Sequence, residues 1–295
     1  MDFSQYTDYL RLEKKYSEHT LVAYHKDLQL FSDFIEKEFQ LKELKEVNYS
    51  MIRSWIIALA DQKIANRSIN RKIASLKSYY KFLLKTHQIK QTPLATHKAL
   101  KTEKKIQIPF SEKELEEGLS LFSADNFVDL RNKLIVELLY TTGMRRAELI
   151  NIKIENISFA TQSIKILGKR NKERILPLLN SVVNTIKAYL KKRATLNKIE
   201  DETLLLITEK GDKIYETLVY RIINNYFSKV STKTKRSPHI IRHSFATHLL
   251  NEGANLNDVK ELLGHASLAS TQVYTHNSMA ALSKVYKKSH PRNKK

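Results

Sequence analysis

The first hundred residues place apolar side chains at helical intervals almost throughout. Apolar positions recur every three or four residues over 17–37, 48–62 and 66–88, so each segment carries one apolar face. Glycine is absent here, and the alternation typical of strands is hard to find. At residues 93–109 the segment PLATHKALKTEKKIQIP loses the helical period. The pattern predicts a helical domain over residues 1–105 that ends in a linker.

In the remaining chain, the spacing of apolar residues changes twice, from helical to strand-like and back. Ser111 and Glu114 have the spacing of a capping box, which predicts the start of a helix that runs to Thr142 and ends at Gly143. Three β-branched, alternating stretches then predict a small antiparallel sheet. They are residues 152–157, 162–167 and 173–178. Helical spacing returns over 179–195, 215–230, 238–251, 256–263 and 268–288. Residues 106–295 are therefore predicted to form a mostly α-helical domain with one small sheet.

Composition excludes several classes of protein. The length of 295 residues is enough for two domains at roughly 150 residues each. The absence of cysteine excludes disulfides, thiolate nucleophiles and cysteine zinc sites. Neither the P-loop pattern nor the dinucleotide-binding glycine pattern occurs, so no nucleotide cofactor is expected. No early apolar run approaches the ~20 residues of a membrane span. We expect a cytoplasmic protein with no membrane partner.

The positive charge is concentrated in one segment. Lys and Arg number 51 against 31 acidic residues, a net charge of +20 that favours a polyanionic partner. Residues 1–60 carry a net −2, whereas residues 61–105 carry a net +10. Solvated helix faces usually mix the two signs, and this face does not. The candidate DNA-binding residues are Lys63, Arg67, Arg71, Lys72, Lys77 and Lys81.

Three short segments hold candidate chemistry. In TTGMRRAEL, Arg145 lies in the turn between two predicted helices. In SPHIIRHSFATHLL, Ser237 and Pro238 predict a helix start, which places His239 in the first turn, where anions are favoured, with Arg242 on the same face. In LLGHASLASTQVYTH, a histidine and a tyrosine follow a glycine cap: they are His265 and Tyr274. Taken singly, each of these residues also has an ordinary structural interpretation.

A metal site is the weaker interpretation of the second segment. His239 and His243 have the spacing of two zinc ligands on one helix. Ile240 stands where the zinc-protease pattern has glutamate, and an open site needs a third ligand. We therefore predict neither a metal nor another cofactor.

Together the segments TGMRRAEL, GKRNKERILPL, HIIRHSFATHLL and LLGHASLASTQVYTH resemble those of the tyrosine recombinases, especially the Xer-type enzymes and related phage integrases. The segment NRSINRKIASLKSYYKFLL resembles the family's SAM-like core-binding domain, so the resemblance covers nearly the whole chain. It implies a helical DNA-binding domain followed by a catalytic domain. The implied catalytic residues are Arg145, Lys169, His239, Arg242, His265 and the nucleophile Tyr274, with Glu148 in support. Arg146 and Arg170 depart from the family pattern, in which a small or apolar residue and a glycine are usual.

The resemblance implies strand cleavage and rejoining through a 3′-phosphotyrosyl intermediate, without metal or ATP. Tyrosine is a weak nucleophile, with a reference pKa of about 10, so its proton must be removed with help. Arg145 and Arg242 would bind the phosphate oxygens, and Lys169 would protonate the leaving 5′ oxygen. The two histidines would assist by proton transfer or hydrogen bonding.

The partner expected from the resemblance is double-stranded DNA with an imperfect inverted repeat. A homotetramer or a heterotetramer with a paralogous recombinase would bind it, with the segment after Tyr274 packed on a neighbouring subunit, and an FtsK-type translocase is a further candidate partner. Chromosome dimer resolution and mobile-element integration or excision both fit. Two alternatives stay open: a DNA-binding regulator that uses residues 238–251 and 256–263 as a reader, and a type IB topoisomerase-like relaxing enzyme.

Overall fold

The computed structural model describes residues 2–103, 107–123, 125–168, 173–264, 286 and 288–293. The chain divides into two compact units, Met1–Lys105 and Ile106–Lys295. Each unit has its own hydrophobic core. Among the described residues, no helix combines the length and the apolar character that crossing a membrane requires.

The first unit consists of helices. They are α1 (Ser4–Asp8), α2 (Glu18–Phe39), α3 (Tyr49–Asp61) and α4 (Asn66–Lys85), with a π-helical turn at Tyr9–Glu13 and a 3-10 turn at Leu44–Glu46. The helices predicted over 17–37, 48–62 and 66–88 are confirmed, with ends that differ by up to three residues. Their apolar faces meet in the core, where the rings of Phe31 and Trp55 lie 4.8 Å apart.

The aperiodic segment after α4 is bound to the side of that helix. The Asn70 side chain exchanges two hydrogen bonds of 2.9 Å with the backbone of Leu100. The Asn66 amide donates to the Lys101 carbonyl at 2.8 Å, and the Lys77 ammonium donates to the His97 carbonyl at 3.4 Å. Polar side chains of α4 thus satisfy backbone groups of this segment.

The second unit holds the remaining elements. They are α5 (Glu112–Ser120), α6 (Phe127–Thr142), α7 (Arg146–Leu149), β1 (Ile157–Ser158), β2 (Ser163–Leu167), β3 (Glu173–Pro177), α8 (Asn180–Arg193), α9 (Glu216–Phe227), α10 (Pro238–Asn251) and α11 (Leu256–Leu263). The strands form one antiparallel sheet in the order β1, β2, β3. The predicted mainly helical fold with a small sheet is confirmed.

Two predicted elements of this unit are wrong in their extent. The helix predicted from Ser111 to Thr142 is two helices, because the Asn126 side chain accepts from the Asp129 amide at 2.8 Å and starts α6 anew. The capping box of Ser111 is confirmed. The strand predicted over 152–157 is mostly a 3-10 turn, since the backbone there bonds to residues 203 and 205 instead of β2.

Helix α6 is the centre of the second unit. Every residue from Leu130 to Thr142 except Lys133 is buried, and α8 and α10 pack against it. It ends at Gly143, whose φ of 60° is the predicted left-handed cap. The tight packing continues there, because α10 and α11 lie close to the glycine through Phe245 and Leu263.

The end of the chain is attached to the same helix. Tyr286 is 1% exposed, and its hydroxyl donates to the Thr141 carbonyl at 2.7 Å. Arg292 pairs with the buried Glu137 at 3.0 Å. Burial lowers the pKa of His290, which packs on the same site, to about 3. The helix predicted over 268–288 lies largely outside the described residues.

Alanine at Gly143 is expected to destabilise the protein more than alanine at Gly253. Both glycines have positive φ, 60° and 83°, where a Cβ costs roughly 1 kcal/mol. A Cβ at Gly143 would also lie 2.3 Å from Cδ1 of Phe245, whereas nothing lies within 4 Å of one at Gly253. Such overpacking adds about 1–3 kcal/mol. Urea unfolding measures both variants, and equal losses would contradict the role given to Phe245.

Candidate functional site

The turn between α6 and α7 fixes the first predicted site residue. Because α6 ends at Gly143, Arg145 adopts an extended backbone, with φ −78° and ψ 151°, at the N-terminus of α7. Its backbone amide donates to Glu148 Oε2 at 2.7 Å, and its Nη1 donates to Glu148 Oε1 at 2.9 Å. The prediction that Arg145 lies in a turn before a helix is confirmed, and its side chain is oriented by Glu148.

Glu148 is shared with an arginine that sequence reasoning missed. Arg174 of β3 donates from Nη1 to Glu148 Oε1 at 3.0 Å and from Nη2 to Oε2 at 2.7 Å. Each oxygen of the carboxylate thus accepts two hydrogen bonds. Burial raises the pKa of Glu148, but the bonds from Arg174 and Arg145 outweigh burial and hold the pKa below 4.5. The group is therefore an anion that two arginines neutralise.

Three arginines bind the C-terminus of α11. Arg174 Nε donates to the Leu262 carbonyl at 3.2 Å, and Arg242 Nη2 donates to the Leu263 carbonyl at 2.8 Å. Arg145 Nη2 donates to the Gly264 carbonyl at 3.3 Å. The last carbonyls of a helix have no partners within it and carry its negative dipole end, so they attract cations. These bonds bring the two predicted site arginines, Arg145 and Arg242, together at one point.

Arg242 also contacts the end of α6. Its Nη1 also donates to the Gly143 carbonyl, which ties α10 to the end of α6. Burial, and after it the proximity of Arg145, lowers the pKa of Arg242 to about 10. It remains charged at neutral pH. The cluster of Arg145, Arg174, Arg242 and Glu148, hereafter the arginine cluster, has more positive than negative charge and favours a bound anion.

The histidine predicted nearby lies at the start of α10. His239 is exposed, one turn before Arg242 on the same helix. Ser237 is the N-cap residue and Pro238 occupies the first helical position, as predicted, although the Ser237 side chain makes no capping hydrogen bond. Among the residues the structure describes, no group of three acidic or imidazole side chains is arranged to hold a metal ion.

Three predicted catalytic residues cannot be placed against this cluster. Lys169, His265 and Tyr274 lie outside the described residues, as does Arg170. The chain on either side is described: Leu167 of β2 pairs with Glu173 of β3, and Gly264 ends α11 with a φ of 63°. The roles given to these residues stay predictions.

Comparisons with known proteins decide the family. The sequence profile of the Phage integrase family matches residues 110–281, and that of the phage integrase N-terminal SAM-like domain matches residues 3–87. The chain belongs to the phage integrase family. Relatives named tyrosine recombinase XerC are 39% identical in Anoxybacillus flavithermus and 37% identical in Staphylococcus epidermidis, each over 97% of this chain and 96% of the relative. It is therefore a tyrosine recombinase of the Xer type.

A solved structure agrees on the fold of this recombinase. The crystal structure of XerH site-specific recombinase bound to a palindromic difH substrate, a post-cleavage complex, matches with a TM-score of 0.72 at 22% identity. The match covers 92% of this chain and 77% of that one. The predicted resemblance to the tyrosine recombinases is thus confirmed by sequence and by fold.

The departure at Arg146 has a structural explanation in this recombinase. Its Nη2 forms an ion pair with Glu216, the first residue of α9. Arg146 binds Glu216 of α9, whereas Arg145 binds Glu148, so the two consecutive arginines make different contacts. The extra charge holds α7 against α9.

The predicted DNA-binding residues of the recombinase fall into two groups. Asp27 of α2 is 1% exposed, and Arg71 binds its carboxylate with two bonds, of 2.6 and 2.9 Å. Lys72 and Ser75 donate to the same carboxylate at 3.0 and 2.8 Å. Lys77 donates to the His97 carbonyl in the segment after α4. These basic residues hold the first unit together.

The other three basic residues have no ion pair among the described residues. They are Lys63, Arg67 and Lys81, and all three are exposed. Lys63 lies in the turn before α4 with a φ of 59°, and Arg67 and Lys81 lie on α4 itself. Their charge is available to a partner.

Replacing Glu148 by glutamine is expected to lower the unfolding free energy by about 3 kcal/mol at neutral pH, because the arginines lose a buried counter-charge. The folded-state pKa of Glu148 lies below 4.5, so its contribution is complete above about pH 4.5 and is lost as the pH falls through the lowered value.

The difference between wild type and Glu148→Gln is therefore expected to narrow in acid. Guanidinium unfolding of both proteins from about pH 7 to pH 3 measures it. A difference that stays constant over this range would contradict the charge assigned to Glu148.

Proposed function

We propose that this recombinase acts on double-stranded DNA with an imperfect inverted repeat and cleaves each strand with the hydroxyl of Tyr274. The observation that carries the proposal is the arginine cluster. Two guanidinium groups are held on backbone carbonyls and a buried carboxylate, so they are positioned before an anion arrives. Preorganised donors of this kind stabilise the charge of a transition state by roughly 3 kcal/mol each.

In the proposed reaction, the Tyr274 oxygen attacks the scissile phosphorus, and the bond from phosphorus to the 5′ oxygen breaks. Negative charge grows on the non-bridging oxygens, where Arg145 and Arg242 donate hydrogen bonds. Arg145 has five N–H donors, and its bonds to Glu148 and Gly264 occupy two of them. The others can bind phosphate.

Proton transfer completes each half of the proposed reaction. Lys169 gives its proton to the leaving 5′ oxygen. One of the two histidines, His239 or His265, accepts the tyrosine proton, and the other donates a hydrogen bond to the phosphate. Attack by the 5′ hydroxyl of another strand on the phosphotyrosine then restores the DNA and the free tyrosine. The phosphotyrosyl bond retains the energy of the broken linkage, so no nucleotide is consumed.

We further propose that the recombinase works as a tetramer on two paired sites in the cytoplasm. The tetramer contains either four copies of this chain or copies of this chain together with a paralogous recombinase. An FtsK-type translocase is a candidate regulator. Resolution of chromosome dimers, which couples to chromosome partition and cell division, and integration or excision of a mobile element both fit this chemistry. The relatives are named tyrosine recombinase XerC, which supports recombination as the reaction.

Substitution of Tyr274 by phenylalanine is expected to abolish covalent DNA capture and to leave DNA affinity unchanged. Phenylalanine keeps the ring and removes only the attacking oxygen. Wild type and variant are incubated with genomic DNA fragments, denatured, and the DNA that stays attached to protein is sequenced. Enrichment of one short imperfect palindrome in the wild type alone supports the proposal.

The same experiment separates the alternatives. Adducts that persist in Tyr274→Phe would overturn the assignment of the nucleophile. Wild-type adducts at every sequence would indicate a relaxing enzyme. Sequence-specific DNA binding without any adduct, on a nicked substrate that cannot be rejoined, would indicate a regulator.

Lys81→Ala is expected to weaken the salt dependence of DNA binding, whereas Lys72→Ala is expected to weaken folding. Lys81 is exposed without an ion pair, so each phosphate contact that it makes contributes about 0.9 to the slope of log affinity against log salt concentration. Lys72 is 11% exposed and bound to buried Asp27, so its loss lowers stability and leaves that slope unchanged.

Fluorescence anisotropy with a labelled duplex, repeated over a salt series, measures the slope, and urea unfolding measures the stability. Arg67→Ala removes another exposed basic residue of α4 and is expected to behave like Lys81→Ala. Slopes equal to wild type for both Lys81→Ala and Arg67→Ala would remove α4 from the proposed DNA surface.

A further inference from the structure

Arg174 has no place in the chemistry proposed above, although it is the most enclosed member of the arginine cluster. Its side chain is 5% exposed, against 38% for Arg145. All three of its nitrogens donate within the protein, two to Glu148 and one to the Leu262 carbonyl. Such a residue affects a bound substrate through the groups that it holds.

The first of these groups is Glu148. Arg174 donates to both carboxylate oxygens, and Arg145 also donates to both, through its backbone amide and its Nη1. The carboxylate therefore transmits the position of one arginine to the other. A guanidinium can do this because its paired N–H groups match the two oxygens of a carboxylate in one plane.

The second group is the C-terminus of α11. Arg174 Nε binds the Leu262 carbonyl, and the guanidinium lies so close to Gly264 that a Cβ there would come within 3.1 Å of Nη1. The neighbouring carbonyls of Leu263 and Gly264 accept from Arg242 and Arg145. Arg174 thus contacts both groups that position the other two arginines: the Glu148 carboxylate and the end of α11.

We propose that Arg174 is a positioning residue of the recombinase, which fixes Glu148 and the end of α11 and through them aligns Arg145 and Arg242 on the scissile phosphate. The inference rests on the proposed function and adds a residue to it. Lysine cannot substitute, because one ammonium cannot span both Glu148 oxygens and the Leu262 carbonyl with the same geometry.

The test is single-turnover cleavage of a nicked site at saturating DNA, read as covalent adduct against time. Arg174→Lys keeps the positive charge and removes the paired N–H groups of the guanidinium. It is expected to cleave about 100-fold more slowly, which is the usual penalty for misplacing a catalytic group by about 1 Å. Its DNA dissociation constant is expected to stay within about twofold of wild type, because the Arg174 side chain is 5% exposed and all three of its nitrogens already donate within the protein.

Arg193→Lys is the matched control. Arg193 is 7% exposed and donates from Nη2 to the carbonyls of Asp201, Glu202 and Leu204, so it is also a buried arginine that binds backbone. Within the part of the chain that the structure describes, its hydrogen bonds do not reach the arginine cluster. Its conversion to lysine is expected to lower the melting temperature and to leave the cleavage rate of the folded protein unchanged.

A double-variant cycle with Glu148→Gln shows whether Arg174 acts through the carboxylate. If it does, the combined loss in rate is smaller than the product of the two single losses. Losses that multiply would overturn the proposal, as would a wild-type cleavage rate for Arg174→Lys. A tenfold or larger loss of DNA affinity with an unchanged rate at saturation would also overturn it.

Rates are compared at a temperature where circular dichroism shows each variant to be folded. Should Arg174→Lys be unfolded at every assay temperature, Arg174→Gln replaces it under the same criteria, because its amide keeps one donor toward Glu148. Failure of the proposed function is distinct: the wild type itself would then form no Tyr274 adduct.

Discussion

The catalytic unit depends on the ion pairs that the buried carboxylate of Glu148 forms with two arginines. Arg145, Arg174 and Arg242 meet at the end of one short helix, where their mutual repulsion would oppose folding without a counter-charge. Helix carbonyls alone carry only a partial charge. Glu148 removes enough repulsion for the cluster to form and leaves it a net positive charge, which favours an anion. Stability and anion binding are set by the same side chain.

The first unit uses a similar arrangement for a different purpose. Asp27 gathers Arg71, Lys72 and Ser75, all from α4, onto one buried carboxylate. Basic residues on this helix are therefore not equivalent. Some fix the helix to its neighbour, and others extend into solvent with their charge uncompensated. Net charge thus overstates the charge that is free to attract DNA, because a buried carboxylate already neutralises part of it.

Much of the fold follows from the period of apolar residues, and the failures have physical causes. The helices of the first unit are long and amphipathic, so their positions could be predicted. The interruption before α6 is short, and Asn126 does not stand out from other polar residues. Arg145 could be predicted from the glycine that precedes it. Arg174 could not, because alternation along β3 places it on the buried face while Ile175 is 38% exposed, the reverse of what hydrophobicity indicates.

The attachment of Tyr286 to α6 brings two distant parts of the catalytic unit to one helix end. The Tyr286 hydroxyl is bound to the Thr141 carbonyl, and the Gly143 carbonyl two residues later accepts from Arg242 of the arginine cluster. The last turn of α6 is therefore a shared support. A change in its backbone would disturb the arginine cluster and the Tyr286 contact together.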